Sequence, residues 1–120
     1  MKALFDTNIL IDYLLGNPQA KKEIQRYKTK LVSIITRMEL LVGASDSDEE
    51  KQMIKFLNSF TEVPLDREVA AIAVTFRREE KMKLPDAVIR ASAVKADALF
   101  VTRNTKDFSR SDPGIRFPYK

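Results

Sequence analysis

This chain of 120 residues has no cysteine and no histidine. The first absence removes disulfides, thiolate nucleophiles and thiolate metal sites together. The second removes the commonest general base and the commonest zinc ligand. Any chemistry must therefore rest on carboxylates, hydroxyls, lysines or arginines. Long apolar runs are missing too, the longest being far shorter than the ~18 residues a membrane span requires. Met1 and Lys2 lead directly into a strand-like segment, so the expectation is a cytoplasmic protein without a signal peptide.

Against these absences stand 44% hydrophobic and 32% charged residues, an ordinary globular balance. The length suits one domain, residues 1–120, around one hydrophobic core. The net charge of +4 favours a polyanion partner, although lysine and arginine also serve solubility alone.

Ala3, Leu4 and Phe5 read as a short buried strand that ends on Asp6. Ile11, Leu14 and Leu15 carry helical spacing, and Thr7 or Asn8 can cap that helix without Asp6. A second helix is expected from about Pro18, with Ala20, Ile24 and Tyr27 on one face. Lys30 to Ile35 reads as a strand, followed by a helix through Val42. Ser47 to Glu50 has capping-box spacing ahead of a stripe of Met53, Phe56, Leu57 and Phe60. Thr61 to Leu65 fits a short strand that Pro64 confines to an edge or a strand end. A long helix begins at Asp66, with Val69, Ile72, Ala73 and Phe76 inward. Another begins at Pro85, with Ala87, Ala91 and Val94 on a small-residue face. Ala98 to Thr102 is the clearest second apolar strand, and a last short one is expected at Ile115 to Phe117. Strands alternating with helices predict a three-layer α/β/α sandwich with a mainly parallel central sheet.

In open parallel sheets, ligands bind beyond the carboxyl ends of the strands. Asp6 ends the first strand, and Glu39 lies about one turn into the helix after the second. Thr102, Arg103, Asn104 and Asp107 follow a later strand, and Asp86 occupies the first turn of the helix begun by Pro85. Each acid has a structural alternative: Thr36 to Glu39 fits a capping box, and the three aspartates suit caps, first turns or tight turns. As a set they read differently. Like charges ~4 Å apart at an effective dielectric of ~20 cost on the order of 4 kcal/mol per pair. A hard divalent cation, Mg²⁺ or Mn²⁺, removes that cost and lowers the pKa of bound water, so no histidine is needed. Two ions ~3.5–4 Å apart suit phosphodiester hydrolysis.

The stretches FDTNILIDYL, IITRMELLVGA and LPDAVIRASAVKADALFVTRNTKDF resemble successive signatures of a PIN domain, specifically of a small VapC-type toxin nuclease. The resemblance implies catalytic and metal-holding roles for Asp6, Glu39 and Asp86, with Thr7 and Asn8 beside the first. Its last motif falls on Thr102 to Phe108. Some members carry an acid where this chain has Asn104, which leaves Asp107 as the fourth ligand and Asn104 as its neighbour. It further implies an endoribonuclease dependent on Mg²⁺ or Mn²⁺, one or two ions per site, which forms a homodimer and is inhibited by a cognate antitoxin.

Two other phosphate enzymes fit less well. A haloacid-dehalogenase-type site needs a second Asp where this chain has Asn8, and a receiver-type phosphoacceptor domain needs a mid-chain strand ending in Asp. A non-catalytic PIN-like module binding RNA or protein is the main competitor. Four clustered acids without metal would repel the phosphates being bound, which argues against it. Arg103, Lys106, Arg37 and Arg110 are the candidate RNA phosphate contacts. Phe5, Phe56, Phe60 and Phe76 read as core, which leaves Tyr13, Tyr27 and Tyr119 as the aromatics available to solvent.

Overall fold

The computed structural model describes residues 1–120. Strands β1 (Lys2–Phe5), β2 (Thr29–Ser33), β3 (Thr61–Val63), β4 (Leu99–Val101) and β5 (Ile115–Arg116) form one sheet in the order β3-β2-β1-β4-β5. Every neighbouring pair is parallel. The helices are α1 (Thr7–Leu14), α2 (Pro18–Gln25), α3 (Ile34–Val42), α4 (Ser47–Leu57), α5 (Arg67–Glu80) and α6 (Leu84–Lys95). Both sheet faces are buried, as an all-parallel sheet requires, and strand alternation sorts residues between them. Leu4, Leu31 and Phe100 join the core beneath α5 and α6, with Val69, Ala73 and Ala87. Ala3, Phe5, Val32 and Val101 face the opposite core, with Ile9, Leu10, Ile24 and Leu57. Phe5 is fully buried there, edge-on to Tyr27 at 5.8 Å and to Phe60 at 6.0 Å. The expected α/β/α sandwich is thus the observed one.

Several local expectations shift, each for an identifiable reason. β2 stops at Ser33 because the Ser33 hydroxyl accepts from the Ile35 N–H and caps α3. Thr36 therefore lies inside the helix, and Glu39 is released from the capping box that its spacing allowed. At α4 the cap is Asp46, accepting from the Glu49 N–H at 2.8 Å, one residue before the expected box. On α1 the core face is Ile9 and Leu10. Ile11, Leu14 and Leu15 are exposed instead, and with Leu40, Gly43 and Met53 they line an open groove of about 440 Å³. On α6, Ala87 and Ala91 are buried as expected but Val94 is 43% exposed. Phe56 and Phe76 lie only partly buried against the cores.

The sheet order reverses direction between β1 and β4, which makes their carboxyl ends the position where parallel sheets open a cleft. The connection after β4 is a loop without a helix, residues 102–114, and it starts at that position.

Candidate active site

Asp6 leaves the end of β1 and is only 6% exposed. Its backbone N–H still belongs to the sheet, donating to the Val101 carbonyl at 2.9 Å. Contrary to the expectation that Thr7 or Asn8 would cap α1, Asp6 is itself the cap: Oδ1 accepts from the Thr7 N–H at 2.8 Å. The other oxygen, Oδ2, accepts from the Thr102 hydroxyl at 2.8 Å and from the Asn8 amide at 3.3 Å. Cap and cleft residue are one side chain, so the two readings of Asp6 do not compete. Burial pushes its carboxyl up to about 6, with the charges of Asp86 and Glu39 adding to the rise and the bonds from Thr102 and Thr7 opposing it.

Glu39 reaches the same place from α3. Its Oε1 accepts from the Thr7 hydroxyl at 2.7 Å, and Thr7 Oγ1 lies 2.9 Å from the fully buried Thr36 hydroxyl. A hydroxyl has one proton, so with Thr7 donating to Glu39, Thr36 must donate to Thr7. Asp86 stands in the first turn of α6. Burial raises its pKa, followed by the charges of Asp107 and Glu39, with only Lys83 opposing. The charges of Asp86 and Glu39 thus act on Asp6, and those of Asp107 and Glu39 act on Asp86, which links the four acids in a chain. No group of three stands at the spacing that would ligate one ion directly. The donor set nevertheless suits a hard divalent cation: it is all carboxylate oxygen, and its mutual repulsion is what such an ion would relieve.

Asn104 resolves into a support for Asp107. Its carbonyl oxygen accepts from the backbone N–H groups of Lys106 at 3.2 Å and Asp107 at 3.1 Å. Its amide donates to Asp107 Oδ2 at 2.9 Å, and its own N–H donates to Thr102 Oγ1 at 3.0 Å. Asn8 closes the circuit by donating to Thr102 Oγ1 and accepting from the Arg103 N–H.

This hydrogen-bonded frame sits in a fold with known relatives. The PIN domain model matches residues 3–112. The chain belongs to the PIN domain family. This PIN domain is 30% identical over 114 residues to ribonuclease VapC1 of Methanocaldococcus jannaschii, covering 91% of this chain and 80% of that one. A solved toxin–antitoxin complex from Klebsiella pneumoniae superposes with a TM-score of 0.91 at 40% identity, covering 98% of each chain. A 30% match over 120 residues to malpinin synthetase of Mortierella alpina takes in 88% of this chain but spans only 2% of that protein's length.

The basic residues separate into two kinds. Arg103 donates from Nε at 2.8 Å and from Nη2 at 3.3 Å to Asp12, to which the Tyr119 hydroxyl also donates at 2.8 Å. Its guanidinium is thus spent within the protein. Arg37 lies 3.8 Å from Glu62, and Arg110 sits over the Phe117 ring at 5.4 Å. Lys106 is exposed and makes no ion pair. With Asn8, Arg103, Asn104 and Thr105 it lines an all-polar hollow of about 360 Å³, in which Asn8 is the residue that donates to Asp6. Tyr27, expected near solvent, is 4% exposed and donates its hydroxyl to Glu23. Sequence reasoning missed Asp12 as the partner of Arg103, and its i, i+4 place after Asn8 on α1 was the available signal.

Proposed function

We propose that this PIN domain, one nuclease domain over residues 1–120, is a Mg²⁺- or Mn²⁺-dependent endoribonuclease. In this reading it is the toxin of a toxin–antitoxin pair, acts in the cytoplasm as a homodimer and is held inactive by a cognate antitoxin. The observation that carries the reading is the convergence of Asp6, Glu39, Asp86 and Asp107 where β1 and β4 end, in a chain with no histidine or cysteine. Kinship with a VapC ribonuclease and a toxin–antitoxin complex supports the substrate and the partner.

Asp6, Glu39, Asp86 and Asp107 would hold one or two divalent ions. When bound, such an ion neutralises the acids and lowers the pKa of water enough to supply a nucleophile at neutral pH. The chain's own residues orient the site. The Thr7 N–H, Thr102 and Asn8 aim the Asp6 carboxylate into the cleft. Thr7 steadies Glu39, and Asn104 turns one oxygen of Asp107 away so that the other is free for the cleft. Lys106 lies at the hollow beside the acids, where a phosphate adjacent to the scissile bond would sit.

The test is cleavage of single-stranded RNA by purified protein freed of antitoxin, with and without Mn²⁺. Wild type should cleave only with metal, and Asp86→Asn or Glu39→Gln should cleave at least a hundredfold more slowly while keeping their circular dichroism. Wild type that binds RNA and never cleaves it would favour a non-catalytic RNA-binding module.

A further inference from the structure

A second, largely polar hollow lies where α2 meets the edge strand β5. It measures about 250 Å³ and is lined by Gln19, Lys22, Glu23, Arg26, Arg116 and Pro118. Glu23 is 3% exposed and fully engaged. The Tyr27 hydroxyl donates to its Oε2 at 2.8 Å, and Arg116 donates from Nε at 2.6 Å and Nη2 at 3.0 Å. Burial opposes its ionisation, but the bonds from Arg116 and Tyr27 outweigh it and hold the carboxyl below its usual range. Glu23 therefore stays charged and neutralises Arg116. Arg26 Nη1 also lies 3.7 Å from Glu23 Oε1, so one anion faces three cations and two net positive charges remain, with Lys22 unpaired and the Arg26 side chain 53% exposed.

The hollow connects to the cleft through the sheet edge. Arg116 ends β5, and its carbonyl accepts from the Thr102 N–H at 3.1 Å. Thr102 in turn donates to Asp6. Tyr119, three residues beyond Arg116, donates to the same Asp12 that holds Arg103. Neither hollow has an apolar side chain in its lining apart from Pro118. No aromatic ring lines the second hollow, so nothing there stacks a base.

We infer that the α2–β5 hollow is a phosphate subsite, in which Lys22 and Arg26 hold the backbone of the RNA strand beyond the scissile step. A subsite of this kind reads charge and not sequence. It selects for strands long enough to reach from the acid cleft across β5 to α2. The inference rests on RNA as substrate, as proposed above, and deepens that reading.

The experiment is equilibrium binding of a fluorescent oligouridine strand to full-length Asp86→Asn protein, with salt varied, together with cleavage kinetics in the active background. Each phosphate contact on a single strand contributes about 0.7 to the slope of log K against log salt. The double substitution Lys22→Ala, Arg26→Ala should lower that slope by about 1.4. From ~50 to ~200 mM salt, wild-type charge at these positions should then lose roughly sevenfold more affinity than the variant. In cleavage, KM for the long strand should rise with kcat unchanged, and a dinucleotide substrate should be indifferent. A charge-matched control on α4, Lys51→Ala with Lys55→Ala, should keep the wild-type slope. An unchanged slope in the Lys22, Arg26 variant, or an equal loss in the control, overturns the subsite. Protein that binds the strand with the expected slope change but never cleaves it leaves the subsite standing and sinks the nuclease reading. Cleavage that is normal in both variants on long RNA does the reverse.

Discussion

Replacing Asp6 by Asn is expected to stabilise the metal-free protein at neutral pH. Asp6 is 6% exposed, and burial, helped by the charges of Asp86 and Glu39, lifts its carboxyl from 3.8 to about 6. The unfolded chain releases this proton near 3.8, whereas the folded chain keeps it until about 6. Ionisation therefore favours the unfolded chain throughout that window. The contribution to stability is fully present below 3.8, is lost as pH rises through about 6, and stays lost above it. At 1.36 kcal/mol per pH unit, the gap between 3.8 and about 6 is worth about 3 kcal/mol. Asparagine keeps an oxygen for the Thr7 N–H and caps a helix as well as aspartate does. Its amide stands where Thr102 and Asn8 donate, and Thr102 Oγ1 already accepts from Asn8 and the Asn104 N–H, so donors face one another at a cost of about 1 kcal/mol. The net expectation is a gain of about 2 kcal/mol at about pH 7.5, reversed to a loss of about 1 kcal/mol near pH 4. Urea unfolding in chelator at both values reads it directly. A variant less stable than wild type at the higher pH, or a difference that does not change with pH, would refute the account of Asp6 as a carboxylate held against repulsion.

Other expectations are smaller in scope. Adding Mn²⁺ at a hundred times its dissociation constant should raise wild-type stability by about 2.7 kcal/mol and Asp6→Asn by much less, read as a thermal shift. Asn104→Asp exchanges the donor to Asp107 for a second carboxylate, so metal-free stability should fall by about 1–2 kcal/mol and Mn²⁺ should restore it; an unchanged Tm would deny Asn104 its supporting role. Glu23→Ala leaves Arg116 unpaired beside the buried Tyr27 hydroxyl and should cost about 3 kcal/mol by urea unfolding. Because the Glu23 carboxyl is held below its usual 4.5, wild-type stability should fall as pH drops from 4.5 through the lower folded value, and Glu23→Ala should lack that fall. Arg103→Ala should cost about 1 kcal/mol of stability, discounted for its 41% exposure, and leave KM for a short RNA nearly unchanged; a large rise in KM would show that Asp12 does not hold its guanidinium.

What the chain spells out locally was readable from the chain. Continuous apolar runs such as Ala3-Leu4-Phe5 and the 3.6-residue stripes of α2 and α5 depend on neighbours a few residues away, so strand and helix order emerge from sequence alone. The absence of histidine and cysteine, and acids following strands, likewise point to carboxylate chemistry from sequence alone. Helix caps were legible in kind but not in position. Asp46 and Ser47, or Asp6 and Thr7, are equally good capping residues by type, and backbone geometry chose the first of each pair.

Partner choice belonged to the tertiary structure. Arg103 reads as a phosphate contact until Asp12, 91 residues earlier, is seen to hold it. Glu23 is covered by Arg116, 93 residues later, and Thr102 meets Asp6 across a separation of 96. Which face of α1 packs inward was settled the same way, by where the turn at Asp6 sets the helix on the sheet. A periodic pattern records which residues share an element's face. It records nothing about which distant charge will arrive beside them, because that is fixed only when the sheet brings β1, β4 and β5 together.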